Sequence, residues 1–224
     1  MISEAFLFAV RISKQHLICI VGVGVPYFLI YNFYMTENRA KFTQMKDGDA
    51  DDYSIIAASN AEDYNHLADK VLDHLRMLEN DYGGFQVDRL THCLQTATRA
   101  HRDGKNSEYV VCALIHDIGD NLAPANHAEL AATILEPFVS EENYWIVKHH
   151  GIFQGYYFFE FLGLDKNMRD KYSDSPYFES CREFCEKYDQ NSFDPDYDSL
   201  DLDFFIPMVK DLFKKPKKSI YLQS

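Results

Sequence analysis

At 224 residues the chain is long enough for one domain with a real core, or one domain plus a short appendage, and tight for two full domains. Its 46% hydrophobic and 25% charged residues are ordinary globular values, which argues against disorder over most of its length. A formal net charge of −13 argues against a nucleic-acid partner, because that affinity rests largely on neutralising phosphates with Lys and Arg.

In chain order, the first element is an apolar segment within residues 1–46. From Gln15 to Thr36 there is no Asp, Glu, Lys or Arg, and Leu17 to Met35 is about long enough to cross a bilayer as a single anchor. Gly22, Gly24 and Pro26 interrupt that run, and the polar stretch from Met35 reads like an ordinary soluble start, so the preferred reading is a cytoplasmic chain beginning near Met35. Membrane association is expected only if the apolar segment belongs to the natural protein. Residues 47–59 read as an acidic linker into a domain over 60–224.

That domain is expected to be all-α. Leu67, Val71, Leu75 and Leu78 recur at spacings of three and four within a helix from Asn60 to Asn80, with Gly83-Gly84 as its stop. A second helix starts after Asp88 as N-cap and runs to the Asp103-Gly104 turn, and a third spans Ser107 to Asp117 through the apolar run VVCALI. Gly119 is placed to end it in a left-handed conformation. Asn126 and Glu129 form a capping-box pattern opening a fourth helix to Leu135, and a fifth runs from Ser140 towards His149. Further helices are expected at Phe153–Leu162, Pro176–Tyr188 and Leu200–Phe213, before a basic tail from Lys214 to Lys218; no segment shows convincing strand alternation. Five scattered cysteines make no disulfide scaffold, and Cys181 and Cys185, one turn apart, read as small residues on a packed helix face.

Singly, each histidine is weak evidence of a ligand. Together they are placed where helix ends meet: His92 on the second helix, His116 and Asp117 at the end of the third, His127 opening the fourth, His149 and His150 ending the fifth, and Asp189 after Tyr188. The adjacent His116-Asp117 pair is the informative element, since an imidazole can bind one ion while the neighbouring carboxylate bridges to a second. His66, His74 and His101 read as ordinary polar-face residues.

This ordered set resembles the HD-domain superfamily, a helical bundle with a His, His-Asp, His, His, Asp progression. HCLQTATRA from His92, HDIGD from His116, KHHGIF around His150 and CEKYDQ around Asp189 look most like the mixed-valence di-iron oxygenases of the myo-inositol oxygenase and glycine-forming hydroxyphosphonate dioxygenase type. The resemblance implies a dinuclear site, with one ion on His92, His116, Asp117 and Asp189 and a second on Asp117, His127 and His150. Iron is the metal it implies, while the ligand types also suit manganese, nickel or zinc. It prefers His150 to His149, and Asp189 to Asp194 or Asp196.

Two reactions follow from such a pair of ions. In the oxidative one, a small hydroxylated substrate and dioxygen meet at the site and a C–C or C–P bond is cleaved, an organophosphonate being one such substrate. In the hydrolytic one, a metal-bound water attacks the phosphorus of a nucleotide or small phosphate ester. The resemblance favours oxidation. Asp120 stands where those oxygenases carry a basic residue, and Gln154 where a lysine would help bind phosphonate, so both are expected to contact substrate. Asp120 is expected to face a polyol hydroxyl or a cationic group, with Tyr156, Tyr157, Phe158 and Phe159 as aromatic faces or core.

Overall fold

The computed structural model describes residues 8–13, 16–20 and 39–219, and the chain divides into two compact units, Met1–Asn60 and Ala61–Ser224. In the first unit β1 (Phe8–Ser13) and β2 (His16–Ile20) pair antiparallel, with Phe8 opposite Ile20 and an irregularity between Arg11 and Ser13. This hairpin lies outside the domain expected to be all-α. It takes up the first residues of the apolar segment considered as an anchor, whose remainder lies outside the described residues. No helix among the described residues is long and apolar enough to cross a membrane.

The acidic stretch expected as a linker is instead helical. Helix α1 (Ala50–Asn65) begins where Asp49 Oδ1 accepts from the Asp52 N–H at 2.9 Å and Asp52 Oδ2 from the Asp49 N–H at 3.4 Å. The carboxylates thus satisfy free N–H groups at a helix start, where the helix dipole favours negative charge.

The second unit is an all-α bundle of α2 (Leu67–Arg76), α3 (Arg89–Arg102), α4 (Ser107–Ile115), α5 (His127–Leu135), α6 (Glu141–Gln154), α7 (Phe178–Phe184) and α8 (Leu202–Leu212). The helix expected from Asn60 to Asn80 breaks at His66, because the buried stripe of Ala68, Val71, Leu72 and Leu75 begins only in α2 and the residues before it are exposed. Asp88, Asn106 and Ser140 cap α3, α4 and α6, each accepting from the N–H three residues on. Helix α4 is the centre of the bundle: Val110 to Ile115 are all buried, and α3, α6 and α8 pack round it.

Local chemistry expected from single residues was overruled in several places. Gly119 does not take a left-handed conformation; a Cβ there would stand 2.8 Å from the His127 carbonyl oxygen, so the glycine lets the start of α5 approach closely. Asn126 makes no side-chain cap at the start of α5. Residues expected as a helix after Phe153 form two 3₁₀ turns, Gly155–Tyr157 and Phe159–Leu162, following an α6 that runs on to Gln154. Helix α7 continues as a π turn, Cys185–Asp189, a rare geometry that often marks functional residues. Cys181 and Cys185 are buried against α6, their thiols donating to the carbonyls of Ile146 and His150.

Candidate metal centre

The buried C-terminal end of α4 sets the position of the centre. His116 follows its last residue and Asp117 comes next, where unpaired helix carbonyls favour a cation. Around them α3 brings His92, the start of α5 brings His127, α6 brings His150 and the π turn brings Asp189. His92, His116, His150 and Asp189 are buried; Asp117 and His127 are partly open, with side chains 15% and 27% exposed.

The Asp117 carboxylate divides its oxygens between two pairs of imidazoles. Oδ2 lies 3.3 Å from His92 Nε2 and 3.4 Å from His116 Nε2; Oδ1 lies 2.9 Å from His150 Nε2 and 3.4 Å from His127 Nε2. Asp189 Oδ1 adds to the first group, 3.3 Å from His92 Nε2 and 3.7 Å from His116 Nε2. The paired Nε2 atoms are themselves close, 3.1 Å for His92 and His116 and 3.3 Å for His127 and His150.

The partner on the far side of each ring determines what those Nε2 atoms are. Nδ1 of His92 donates to the Ser192 carbonyl at 3.0 Å, that of His116 to Ala113 at 2.8 Å and that of His150 to Val147 at 2.7 Å, while Nδ1 of His127 lies in ion-pair contact with Asp120 Oδ1 at 3.3 Å. With the proton of the neutral ring on Nδ1, Nε2 of His92, His116 and His150 presents a lone pair to its neighbours and to carboxylate oxygens. Acceptors crowded on acceptors are satisfied by a proton or a metal cation between them. Ligands about 2.1 Å from a common ion stand about 3.0–3.4 Å apart, close to the 2.9–3.7 Å found here. Asp189 Oδ2 is buried without a hydrogen-bond partner, a further donor to a positive ion. The residues therefore fit a metal, and His92, His116, Asp117, His150 and Asp189 can hold one.

The electrostatics point the same way. Burial by itself lowers the His92 pKa, but hydrogen bonds and charge from Asp117 and Asp189 outweigh it and raise it to about 10. His150 is buried too, and Asp117 raises it to about 9. Burial would raise Asp117, yet His116, His150 and His92 hold it well below the usual carboxylate range, and Asp189 is likewise lowered, with His116 and His92 outweighing its burial. A group of side chains that holds protons this firmly is one in which a metal ion competes with protons for the same lone pairs.

The other expected site residues are placed differently from one another. Gln154 reaches the centre: Nε2 donates to Asp189 Oδ1 at 3.1 Å, while Oε1 is buried with no partner. Asp120, expected to face a substrate hydroxyl or cation, is engaged within the protein, with Oδ2 paired to the Arg89 guanidinium and Oδ1 on His127. Tyr156 and Phe158 are exposed, and Arg169 covers the Tyr156 ring at 3.7 Å, while Tyr157 packs on the core. His149 is turned away, stacked on Trp145 at 4.1 Å.

Two residues at the centre were not foreseen. Phe193 stacks on His92 at 4.4 Å and on Phe85 at 4.7 Å, covering one face of the imidazole. Arg89 precedes His92 by three residues, one turn on the same helix face, and that spacing was the available signal. A surface groove of about 560 Å³ near Arg99, Tyr188 and Tyr197 includes none of the six clustered side chains, because their donors close on one another rather than lining an open cleft. No protein-family model matches the chain, and no curated protein matches it, so the chemistry rests on these donors themselves.

Proposed function

We propose that the chain is an HD-type metalloenzyme with two ions bridged by Asp117, and that it acts as a mixed-valence di-iron oxygenase, using dioxygen to cleave a C–C or C–P bond of a small hydroxylated substrate. The observation that carries the reading is the division of the Asp117 oxygens between the His92–His116 and His127–His150 pairs. His92, His116, Asp117 and Asp189 would hold one ion, and Asp117, His127 and His150 the other. Bound there, the ions would supply Lewis acidity and the one-electron chemistry that dioxygen requires.

The chain's own residues bear on the choice of substrate. Gln154 fixes Asp189 through Nε2 and leaves Oε1 as a buried acceptor, suited to a donor such as a hydroxyl group. Arg89, the cation in contact with this cluster, is committed to Asp120 and Asp81, so its charge is not presented to a phosphate. Phe193 shields one face of His92 from water. These features favour oxidation of an uncharged hydroxylated molecule over hydrolysis of a phosphate ester, and C–C over C–P cleavage.

Metal analysis and electron paramagnetic resonance of purified protein test the centre, with about two irons per chain and a mixed-valence signal expected. Oxygen consumption with a panel of polyols and hydroxyphosphonates, set beside anaerobic phosphate release from nucleotides, tests the reaction. Phosphate release in the absence of oxygen would replace the oxidative reading with a hydrolytic one.

A further inference from the structure

We propose that Arg89 is a positioning residue: it clamps Asp120 so that Asp120 aims His127 at Asp117, and thereby sets the affinity of the His127–His150 ion alone. The inference rests on the dinuclear reading above.

The four imidazoles are oriented by different kinds of partner. His116 and His150 donate to carbonyls three residues back on their own helices, and His92 to the Ser192 carbonyl. Backbone partners of this kind are rigid. His127 instead has a side chain beside its Nδ1, Asp120 Oδ1 in ion-pair contact at 3.3 Å, and it stands partly open at the first residue of α5. Its aim is therefore only as fixed as the Asp120 carboxylate.

Arg89 supplies that rigidity from two sides. One arm of its guanidinium hydrogen-bonds to Asp120 Oδ2, and Nε lies 3.2 Å from Asp81 Oδ2 in an ion-pair contact without hydrogen-bond geometry. The Arg89 N–H also donates to the Asp81 carbonyl at 2.9 Å. The intervening loop is shaped around the guanidinium: Gly83 has φ +52°, and a Cβ there would stand 2.6 Å from an Arg89 terminal nitrogen. A planar fork can hold two carboxylates at once in fixed directions, which a lysine ammonium cannot. The positive charge also offsets the repulsion between Asp120 and Asp117, two carboxylates that both touch His127. Asp120 can then serve as an orienting partner for a ligand histidine, the arrangement that fixes tautomer and ring direction in metal sites.

Calorimetric titration of metal-free protein with Zn(II), a probe without redox chemistry, tests this. Wild-type protein is expected to take up two equivalents; uptake of one at most would overturn the dinuclear reading itself, before any variant is considered. In Arg89→Gln the first equivalent should bind as in wild type and the second about 10- to 100-fold more weakly, with Arg89→Lys recovering only part of the loss. An unchanged second equivalent, or an equal loss of both with a lowered Tm, would overturn the clamp, the latter being what a merely structural salt bridge predicts. Should Arg89→Gln fail to fold, Asp81→Asn decides by the same criterion: selective weakening of the second equivalent supports the clamp and no change overturns it.

Discussion

His116 and His127 stand on opposite sides of Asp117 and present the same atom to it, yet they are built differently. His116 ends the apolar helix α4, is fully buried, and has its Nδ1 tied to its own helix backbone. His127 opens a short helix, its side chain is 27% exposed, and it is tied to a carboxylate that an arginine must hold. His92, His116, His150 and Asp189 are thus positioned by core packing, and His127 by charge. Packing holds a ligand as firmly as the fold itself; a charge network can be weakened while the fold stands.

Removing what the two halves share should have the largest effect. In Asp117→Ala, metal content is expected to fall from about two ions per chain to none, because the carboxylate belongs to both coordination spheres. An ion retained in that variant would show that the halves are independent. Next come substitutions within one half. His116→Ala should lose the inner ion and cost about 2–4 kcal/mol in denaturant unfolding, since it opens a void in the core and strands the Ala113 carbonyl. His127→Ala should lose only the outer ion and cost less than about 1 kcal/mol, as expected of a partly exposed side chain. Similar stability losses for the two variants would erase the distinction.

Acidity sharpens the comparison further. With His92 raised to about 10 and His150 to about 9, their contribution to metal-free stability is complete below the ordinary histidine pKa of about 6.5 and is lost as pH rises through the raised values. Asp117 and Asp189 are lowered, so theirs is present above about pH 4 and lost on acidification. Metal-free protein should therefore have its highest Tm between about pH 4 and 6.5. Metal affinity should instead climb with pH as protons leave the same nitrogens, so metal-loaded protein should not share the decline above pH 6.5. Parallel Tm profiles with and without metal would mean that these imidazoles do not bind the ion.

The smallest effect lies outside both halves. Glu108 accepts from Lys217 Nζ at 2.5 Å, the Ser140 N–H at 2.7 Å and Asn143 Nδ2 at 2.8 Å, and these partners outweigh its burial to lower it to about 2. Its contribution is present above about pH 4.5 and is lost as pH falls towards 2. Glu108→Gln should cost no more than about 1 kcal/mol and shift Tm slightly near neutral pH, leaving metal content untouched; a change in metal content would tie this surface latch to the centre.

Much of the bundle and the centre was legible before any coordinates. Apolar periodicity located most of the helices of the second unit, and Asp88 and Ser140 marked two of their starts, because a local pattern and a cap act within a few residues. The six clustered side chains were named from the resemblance that their order and flanking motifs carry. Less legible were the hairpin at Phe8–Ile20, the helical fate of the acidic run, the break at His66 and the π turn carrying Asp189. Each depends on what the segment packs against or pairs with, and neighbouring residues do not specify that.

Asp120 draws the same line within the site. Its position beside the His-Asp pair was evident from sequence, but its role was not, because the partner that uses up its charge lies 31 residues earlier on another helix. By itself the sequence determined which side chains can act as ligands and that helix ends carry them, since both follow from residue chemistry and local periodicity. Only the tertiary structure decided which lone pairs face one another and which charges are spent on holding them, because those depend on the ångström-scale approach of distant helices, as where Gly119 makes room for His127 and Gly83 for Arg89.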